Sequence, residues 1–227
     1  MYKRQAPPAI YCVSPAPADF VPDGVWEKPE WAGVPSARID CYPWHKGGWT
    51  PCTEFKLQYS KDYLYVIFQV QDQFVRSVYT TFNGPVCRDA CVEFFFQPAP
   101  ERSPAYFNIE TNCGGTILFN SQTARMENVA PMSEQQAALL QIARSMPPVV
   151  DPEIPDPVVW TIEYRVPLAL LEKCGAVTRP GPGVKWRANL YKCAENNSHP
   201  HWGSWSLVGT AKPDFHQPDY FGTLSFL

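Results

Sequence analysis

Glu93 is the residue of this sequence best placed to do chemistry. It lies in residues 83–98, NGPVCRDACVEFFFQP, where alternation sends Val92, Phe94 and Phe96 to one face and Cys91, Glu93 and Phe95 to the other. Two later runs repeat the arrangement. YFNIETN turns Phe107, Ile109 and Thr111 inward and offers Asn108, Glu110 and Asn112; WRANLYKC turns Trp186, Ala188 and Leu190 inward and offers Arg187, Asn189 and Tyr191. The three runs predict one polar face of carboxylates, amides and a guanidinium, a set that binds a polar ligand with defined geometry. The bland alternative is a Glu93–Arg187 ion pair with Asn side chains bracing the sheet. Glu93 and Glu110 could instead form the carboxylate pair of a glycosidase, provided they stand about 5–9 Å apart across a cleft.

A second cluster is HPHWGSWS, residues 199–206. Trp202 or Trp205 can serve as a stacking platform and His199 or His201 as a hydroxyl partner, while Trp205 also reads as a core anchor. His199, His201 and His216 with Asp214 form an alternative metal set, although their spacing is not that of a zinc enzyme. The chain has no GxSxG elbow, phosphate-binding loop or dinucleotide glycine motif, and no Cys has a neighbouring His. Its eight cysteines contain no CxxC pair and no regular framework, so neither zinc nor a disulfide scaffold is signalled. Reduced thiols of a cytoplasmic protein are the favoured reading, with a few disulfides of an exported one as the alternative. Haem binding is disfavoured because Met126, Met132 and Met146 all fall in or near one insertion.

The elements that must position these residues are short extended runs divided by turns. Residues 10–13 read as an edge strand; TEFKLQYS buries Phe55, Leu57 and Tyr59, turns at Ser60-Lys61-Asp62, and pairs with YLYVIFQVQD, which buries Leu64, Val66, Phe68 and Val70. AYFNIETN continues through Gly114-Gly115 into TILFN, and VVWTIEYRVPL, WRANLYKC and FGTLSFL complete the set. An excursion over about residues 121–157 interrupts the pattern; Ser133 and Gln136 form a capping box there, and Leu139, Ile142, Ala143 and Met146 fall at helical spacing until Pro147. The expected fold is an all-β, antiparallel sandwich of jelly-roll or immunoglobulin-like kind with a short helical insertion, one domain over 227 residues. With 45% apolar residues the chain can bury a full core, and no apolar run reaches membrane-spanning length. A net charge of −3 without a basic block argues against nucleic acid. The opening MYKRQ and its Pro-rich sequel look unlike a native start, so an upstream signal is an open possibility.

The order WEKPEWA, TEFKLQYSKDYLYVIFQVQD, CVEFF, WRANLYKC, SWS, PDFHQPDYFGTL resembles carbohydrate-binding module family 9, from about Trp26 to the end. The resemblance implies a β-sandwich that binds a mono- or oligosaccharide end between two Trp rings, with structural calcium nearby and no required cofactor or catalysis. It puts the family's site glutamate on Glu93 and neighbouring polar ligands on Asn108 and Asn189. Where relatives carry a Trp before the strand motif this chain has Cys87, and the second platform falls at or near Phe215, so Trp202, Trp205, Phe215 and His216 are the rings expected to replace them. Sugar chemistry suits this set: a pyranose has an apolar C–H face that stacks on a ring and a rim of hydroxyls that need paired donors and acceptors. The ligand-contact candidates are therefore Glu93, Asn108, Glu110, Arg187, Asn189, Trp202, Trp205, Phe215 and His216. Asp72 and Asp89 are candidate oxygen donors for calcium. The alternatives are a glycosidase using Glu93 and Glu110, or a sandwich whose sugar site has decayed and serves protein interaction.

Overall fold

The structure, a computed structural model, describes residues 8–227, so the unusual start at residues 1–5 lies outside the described residues. In chain order the strands are β1 (Ile10–Pro15), β2 (Ala37–Ile39), β3 (Cys52–Tyr59), β4 (Tyr63–Asp72), β5 (Val75–Ser77), β6 (Cys91–Gln97), β7 (Tyr106–Asn112) and β8 (Ile117–Gln122). They continue as β9 (Ala130–Pro131), β10 (Gln141–Arg144), β11 (Val150–Ile154), β12 (Val158–Pro167), β13 (Lys185–Ala194), β14 (His201–Ser204) and β15 (Gly222–Phe226). Two short helices, α1 (Glu134–Ala137) and α2 (Leu168–Cys174), interrupt them.

Two sheets face each other, one ordered β15-β13-β6-β7-β8-β9 and the other β10-β12-β4-β3. They are joined by β1, which pairs in parallel with β15 over Ile10–Val13 and then with β3 over Ser14 and Pro15. It is a strand shared by both sheets, not the edge strand expected, and its pairings are parallel in an otherwise antiparallel sandwich. The period-2 alternation explains the core: Val92, Phe94, Phe96, Trp186 and Leu190 meet Phe55, Val66, Phe68, Trp160 and Ile162 between the sheets. Phe96 stacks on Trp186 at 5.8 Å between ring centres. At the β3–β4 hairpin, the Ser60 hydroxyl accepts from the amides of Asp62 and Tyr63 at 3.2 and 3.1 Å, closing the turn as its residue types require.

The excursion departs from expectation. Its capping box is present, with Ser133 Oγ accepting from Gln136 N at 3.2 Å and Gln136 Oε1 from Ser133 N at 2.8 Å. The helix nevertheless ends at Ala137, and Gln141–Arg144 becomes a strand against Ile162–Arg165 of β12. The exposed edge of β12 offers unpaired backbone groups, and that demand overrides the helical spacing of Ile142 and Met146. Among the described residues no helix is long and apolar enough to cross a membrane.

The outer face of β4 and β12 is sealed by the segment before β2. Phe20 stacks on Tyr65 at 4.1 Å, with Trp31 edge-on to Phe20 at 5.6 Å. Glu163, fully buried, is the polar anchor: Oε1 accepts from Trp31 Nε1 at 2.8 Å, Oε2 from the amides of Asp23 and Gly24 at 2.8 Å, and Lys28 Nζ pairs with it at 2.7 Å. Removing one partner of a buried pair strands the other charge. We therefore expect Glu163→Ala to cost roughly 3–5 kcal/mol in urea unfolding, against less than about 0.5 kcal/mol for Val159→Ala on the same strand. Similar losses in the two variants would refute the anchor.

Candidate functional site

The outer face of β6, β7 and β13 carries the residues that alternation selects, in one ladder. Glu93 stands opposite Glu110 on β7 and opposite Tyr191 on β13; Cys91 stands opposite Cys193, and Phe95 between Asn108 and Asn189. The expected open polar surface is absent, because residues 205–221 fold over this face. Phe215 stacks on Tyr191 at 4.0 Å, and the Tyr191 hydroxyl donates to the Phe215 carbonyl at 3.0 Å. Glu93 and Glu110 are left 2% and 6% exposed beneath this cover, not on an open sheet surface.

The candidates divide into those at the floor and those spent on structure. Asn189 uses its amide on the cover, donating to the Ser206 carbonyl at 2.9 Å and accepting from its amide at 2.8 Å, so it holds the loop down instead of facing a ligand. Arg187 sits four residues along β13 from Tyr191 and donates to the carbonyls of Asp219 and Phe221 at 3.2 and 3.4 Å; no Glu93–Arg187 pair forms. Trp205 lies in the inter-sheet core, edge-on to Phe55 at 5.7 Å, which is the anchor reading. Phe215 belongs to the cover itself and is buried in the apolar cluster with Tyr191. Trp202, directly opposite Cys193 on β14, remains partly exposed at the mouth.

A hydrogen-bonded chain runs from the floor to the rim. Asn108 donates to Glu110 Oε1 at 3.1 Å and accepts from Gln122 Nε2 at 3.0 Å; Gln122 Nε2 and the Tyr106 hydroxyl both reach His216 Nδ1, at 3.0 and 2.9 Å. Two donors on Nδ1 assign it as the acceptor, leaving the proton on Nε2. Burial, reinforced by the Arg125 guanidinium and opposed by Asp214, brings His216 down to about 4. The histidine metal set does not assemble. His199 Nε2 contacts the Trp49 carbonyl at 2.9 Å and His201 Nε2 meets Lys192 Nζ at 2.8 Å, while Asp214 binds Arg125 at 2.6 Å.

Calcium finds little at the two candidate aspartates. Asp72 is taken by Lys192 at 3.2 Å and Trp160 Nε1 at 3.0 Å. In Asp89, Oδ2 accepts from the Val78 and Tyr79 amides and from Asn112, and Oδ1 is buried without a partner. One orphaned oxygen falls short of the roughly six to eight that calcium takes. Asn112 serves the Gly114-Gly115 turn, its Oδ1 accepting from Thr116 N at 2.9 Å.

The sequence reading missed Trp44, Gln122 and Tyr106. Trp44 packs 6.1 Å from Phe215, anchors its Nε1 on the Thr210 carbonyl at 2.8 Å and lines, with His45, Lys46, Pro200, His201 and Trp202, a cleft of about 260 Å³. Its signal was available: a partly exposed Trp in the turn-rich run YPWHKGG, which lacks strand alternation and so drew no attention. A larger cleft of about 350 Å³ beside Phe82, Ile117 and Glu134 brings no paired carboxylates together.

Two opposed, buried carboxyls cannot both ionise cheaply. Burial raises Glu93 well above the usual carboxylate range, with Glu110 adding to it, and burial also raises Glu110 to about 7 against the hydrogen bond from Asn108. For Glu110 the folded chain keeps a proton that the unfolded chain has lost, so stability falls as pH rises from about 4.5 to about 7. Glu110→Gln, which keeps the shape without the charge, is expected to raise stability by roughly 1–3 kcal/mol at about pH 8 and to change it little near pH 4. Denaturant midpoints at the two pH values read this directly, and no gain at the higher pH would contradict the burial account.

Comparison with known proteins gives similar solved structures and one family. A Bacteroides uniformis protein, named only provisionally as carbohydrate-binding, matches with a TM-score of 0.84 and 27% identity over 97% of this chain and 100% of that one. A carbohydrate-binding module of family 9 from Caldicellulosiruptor kristjanssonii, in complex with glucose, matches with a TM-score of 0.65 and 14% identity, covering 96% of each chain. Its complex with cellotriose gives a TM-score of 0.66 and 16% identity over 96% and 93%. Comparison with curated proteins gives no match. The model of carbohydrate-binding family 9 matches residues 28–226, nearly the whole chain. The chain belongs to carbohydrate-binding family 9.

Proposed function

We propose that the chain is a non-catalytic carbohydrate-binding module that takes a mono- or oligosaccharide end in the cleft lined by Trp44 and Trp202, with Glu93 and Glu110 as hydroxyl acceptors at the floor beside it. The observation that carries this reading is the pair of partly exposed Trp rings on one cleft, both packed on the apolar cluster that includes Phe95, Tyr191 and Phe215. Rings in that position supply the stacking surface that Cys87 does not. The glucose and cellotriose complexes of the Caldicellulosiruptor relative support the ligand class. Catalysis is disfavoured by geometry: two carboxyls directly opposed on neighbouring strands of one sheet lie on one side of a ligand and do not flank a scissile bond from two sides. A decayed site serving protein interaction is the second reading, favoured by the internal hydrogen bonds that already occupy Asn108 and Asn189.

Calorimetric or NMR titration with glucose, cellobiose and xylobiose, with and without calcium, separates the two. Saturable binding is expected, with Trp44→Ala and Trp202→Ala each weakening it about tenfold or more while leaving the fold intact, as loss of a stacking ring implies. Trp205→Ala should instead cost roughly 3–5 kcal/mol of stability. A folded protein that binds nothing across a broad panel points to the second reading.

A further inference from the structure

We propose that Cys91, Glu93 and Cys193 form a binding site for a thiophilic metal ion of the zinc class. One sulfur from each cysteine and one carboxylate oxygen lie within 4.8 Å of one another, and all three side chains are buried. Their placement is fixed by the ladder, not by flexible loops. Cys91 and Glu93 are two apart on β6 and share a face; Cys193 is directly opposite Cys91 on β13. A tetrahedral zinc site, with metal–sulfur bonds of about 2.3 Å and metal–oxygen bonds of about 2.0–2.2 Å, sets its donors roughly 3.5–4 Å apart, so closure asks about 1 Å of rotatable side chains.

The chemistry of the donor set selects the ion. Two thiols and one carboxylate favour a soft or borderline cation and disfavour calcium, which takes oxygen. Cys87 is half-buried on the same apolar cluster, and its carbonyl accepts from Cys193 Sγ at 3.6 Å, while Cys193 Sγ also stands 3.2 Å from Glu93 Oε1. Cys87 also gives the site a way in, since Cys91 and Cys193 are closed to solvent. The charge balance points the same way. Glu110 faces Glu93, and among the described residues neither carboxylate has an ion-pair partner. No sequence motif announced this site because its ligands are about a hundred residues apart and meet only through β6–β13 pairing.

The site goes beyond the sugar reading and shares Glu93 with it, so a bound ion would take the oxygen offered to a hydroxyl and weaken sugar binding. Metal uptake is read without sugar, which keeps the two fates apart. The full chain, reduced and stripped with a chelator, is titrated with cadmium and with cobalt while sulfur-to-metal charge-transfer absorption is followed, and zinc content is measured after gel filtration. One ion per chain is expected, with the band lost in Cys91→Ser and Cys193→Ser, affinity down about tenfold or more in Glu93→Gln, and no change in Cys12→Ser, which is exposed. Because the buried variants can misfold, a second readout uses the unaltered chain: zinc should slow alkylation of Cys91 and Cys193 while Cys12 reacts as before. Absence of the band, its survival in both serine variants, no protection by zinc, or isolation of the chain with Cys91 and Cys193 joined as a disulfide would each overturn the proposal.

Discussion

β6 is buried on both faces, and the polar side of the molecule follows from that constraint. Its inner face packs Val92, Phe94 and Phe96 into the sandwich, which commits Cys91, Glu93 and Phe95 to the outside. An outside left open would solvate Glu93 and ask nothing of its neighbours. Residues 205–221 cover it instead, and every polar group beneath must then find a partner within the protein. Asn189 holds the cover through the Ser206 backbone, and Asn108, Gln122, Tyr106 and His216 form a relay to the rim. Glu93 accepts from Cys193 Sγ at 3.2 Å and Glu110 from Asn108 at 3.1 Å, and among the described residues neither carboxyl has an ion-pair partner.

The inner side of the same strand pair shows how a charge is buried when it serves structure. Lys192, between the sheets and closed to solvent, pairs with Asp72 of β4 at 3.2 Å and donates to His201 Nε2 at 2.8 Å. Burial and the adjacent Lys192 ammonium drive His201 down to about 2, so it stays a neutral acceptor, with Nδ1 donating to the His199 carbonyl at 2.8 Å. Lys192 and Cys193 are consecutive, and one residue of register separates a satisfied ion pair from a cluster of thiols and carboxyls. The polar rings of HPHWGSWS are divided by the same alternation: His201 turns inward, Trp202 outward.

Most of the sheet was legible because a period of two is hard to mistake when both faces are apolar or half-polar. The inward sets of β3, β4, β6, β7, β12 and β13 all fall where alternation puts them. Three kinds of feature were not legible. Strands of two to five residues, such as β5, β9 and β11, are too short to show a period and exist because a neighbouring edge needs partners. Gln141–Arg144 carried a helical signature that pairing with β12 overrode. Exposure itself was the third: alternation says which side Asn189 and Arg187 are on, but not that Ser206, 17 residues downstream, will claim Asn189 as its clasp. Trp205 has the same history, a ring in an aromatic run whose facing is decided by Phe55 across the core.

Cys87 stands where the family resemblance expects a stacking Trp, beside the cluster of Cys91, Glu93 and Cys193. Cys87 packs on the same apolar cluster as Cys91 and Cys193, and its carbonyl accepts from Cys193 Sγ at 3.6 Å. Stacking does not depend on which element supplies the ring, only on a flat apolar face presented at the rim, and Trp44 and Trp202 present theirs from a loop and from β14. The polar floor is less transferable, since a carboxylate oxygen must stand at a fixed place over a sugar hydroxyl or a metal, and the β6–β7–β13 ladder is what fixes it. The aromatic part of such a site can therefore migrate between loops while Glu93 stays on its strand. Once the ring has left, the same rigid ladder holds Cys91, Glu93 and Cys193 at a spacing that a single cation can span.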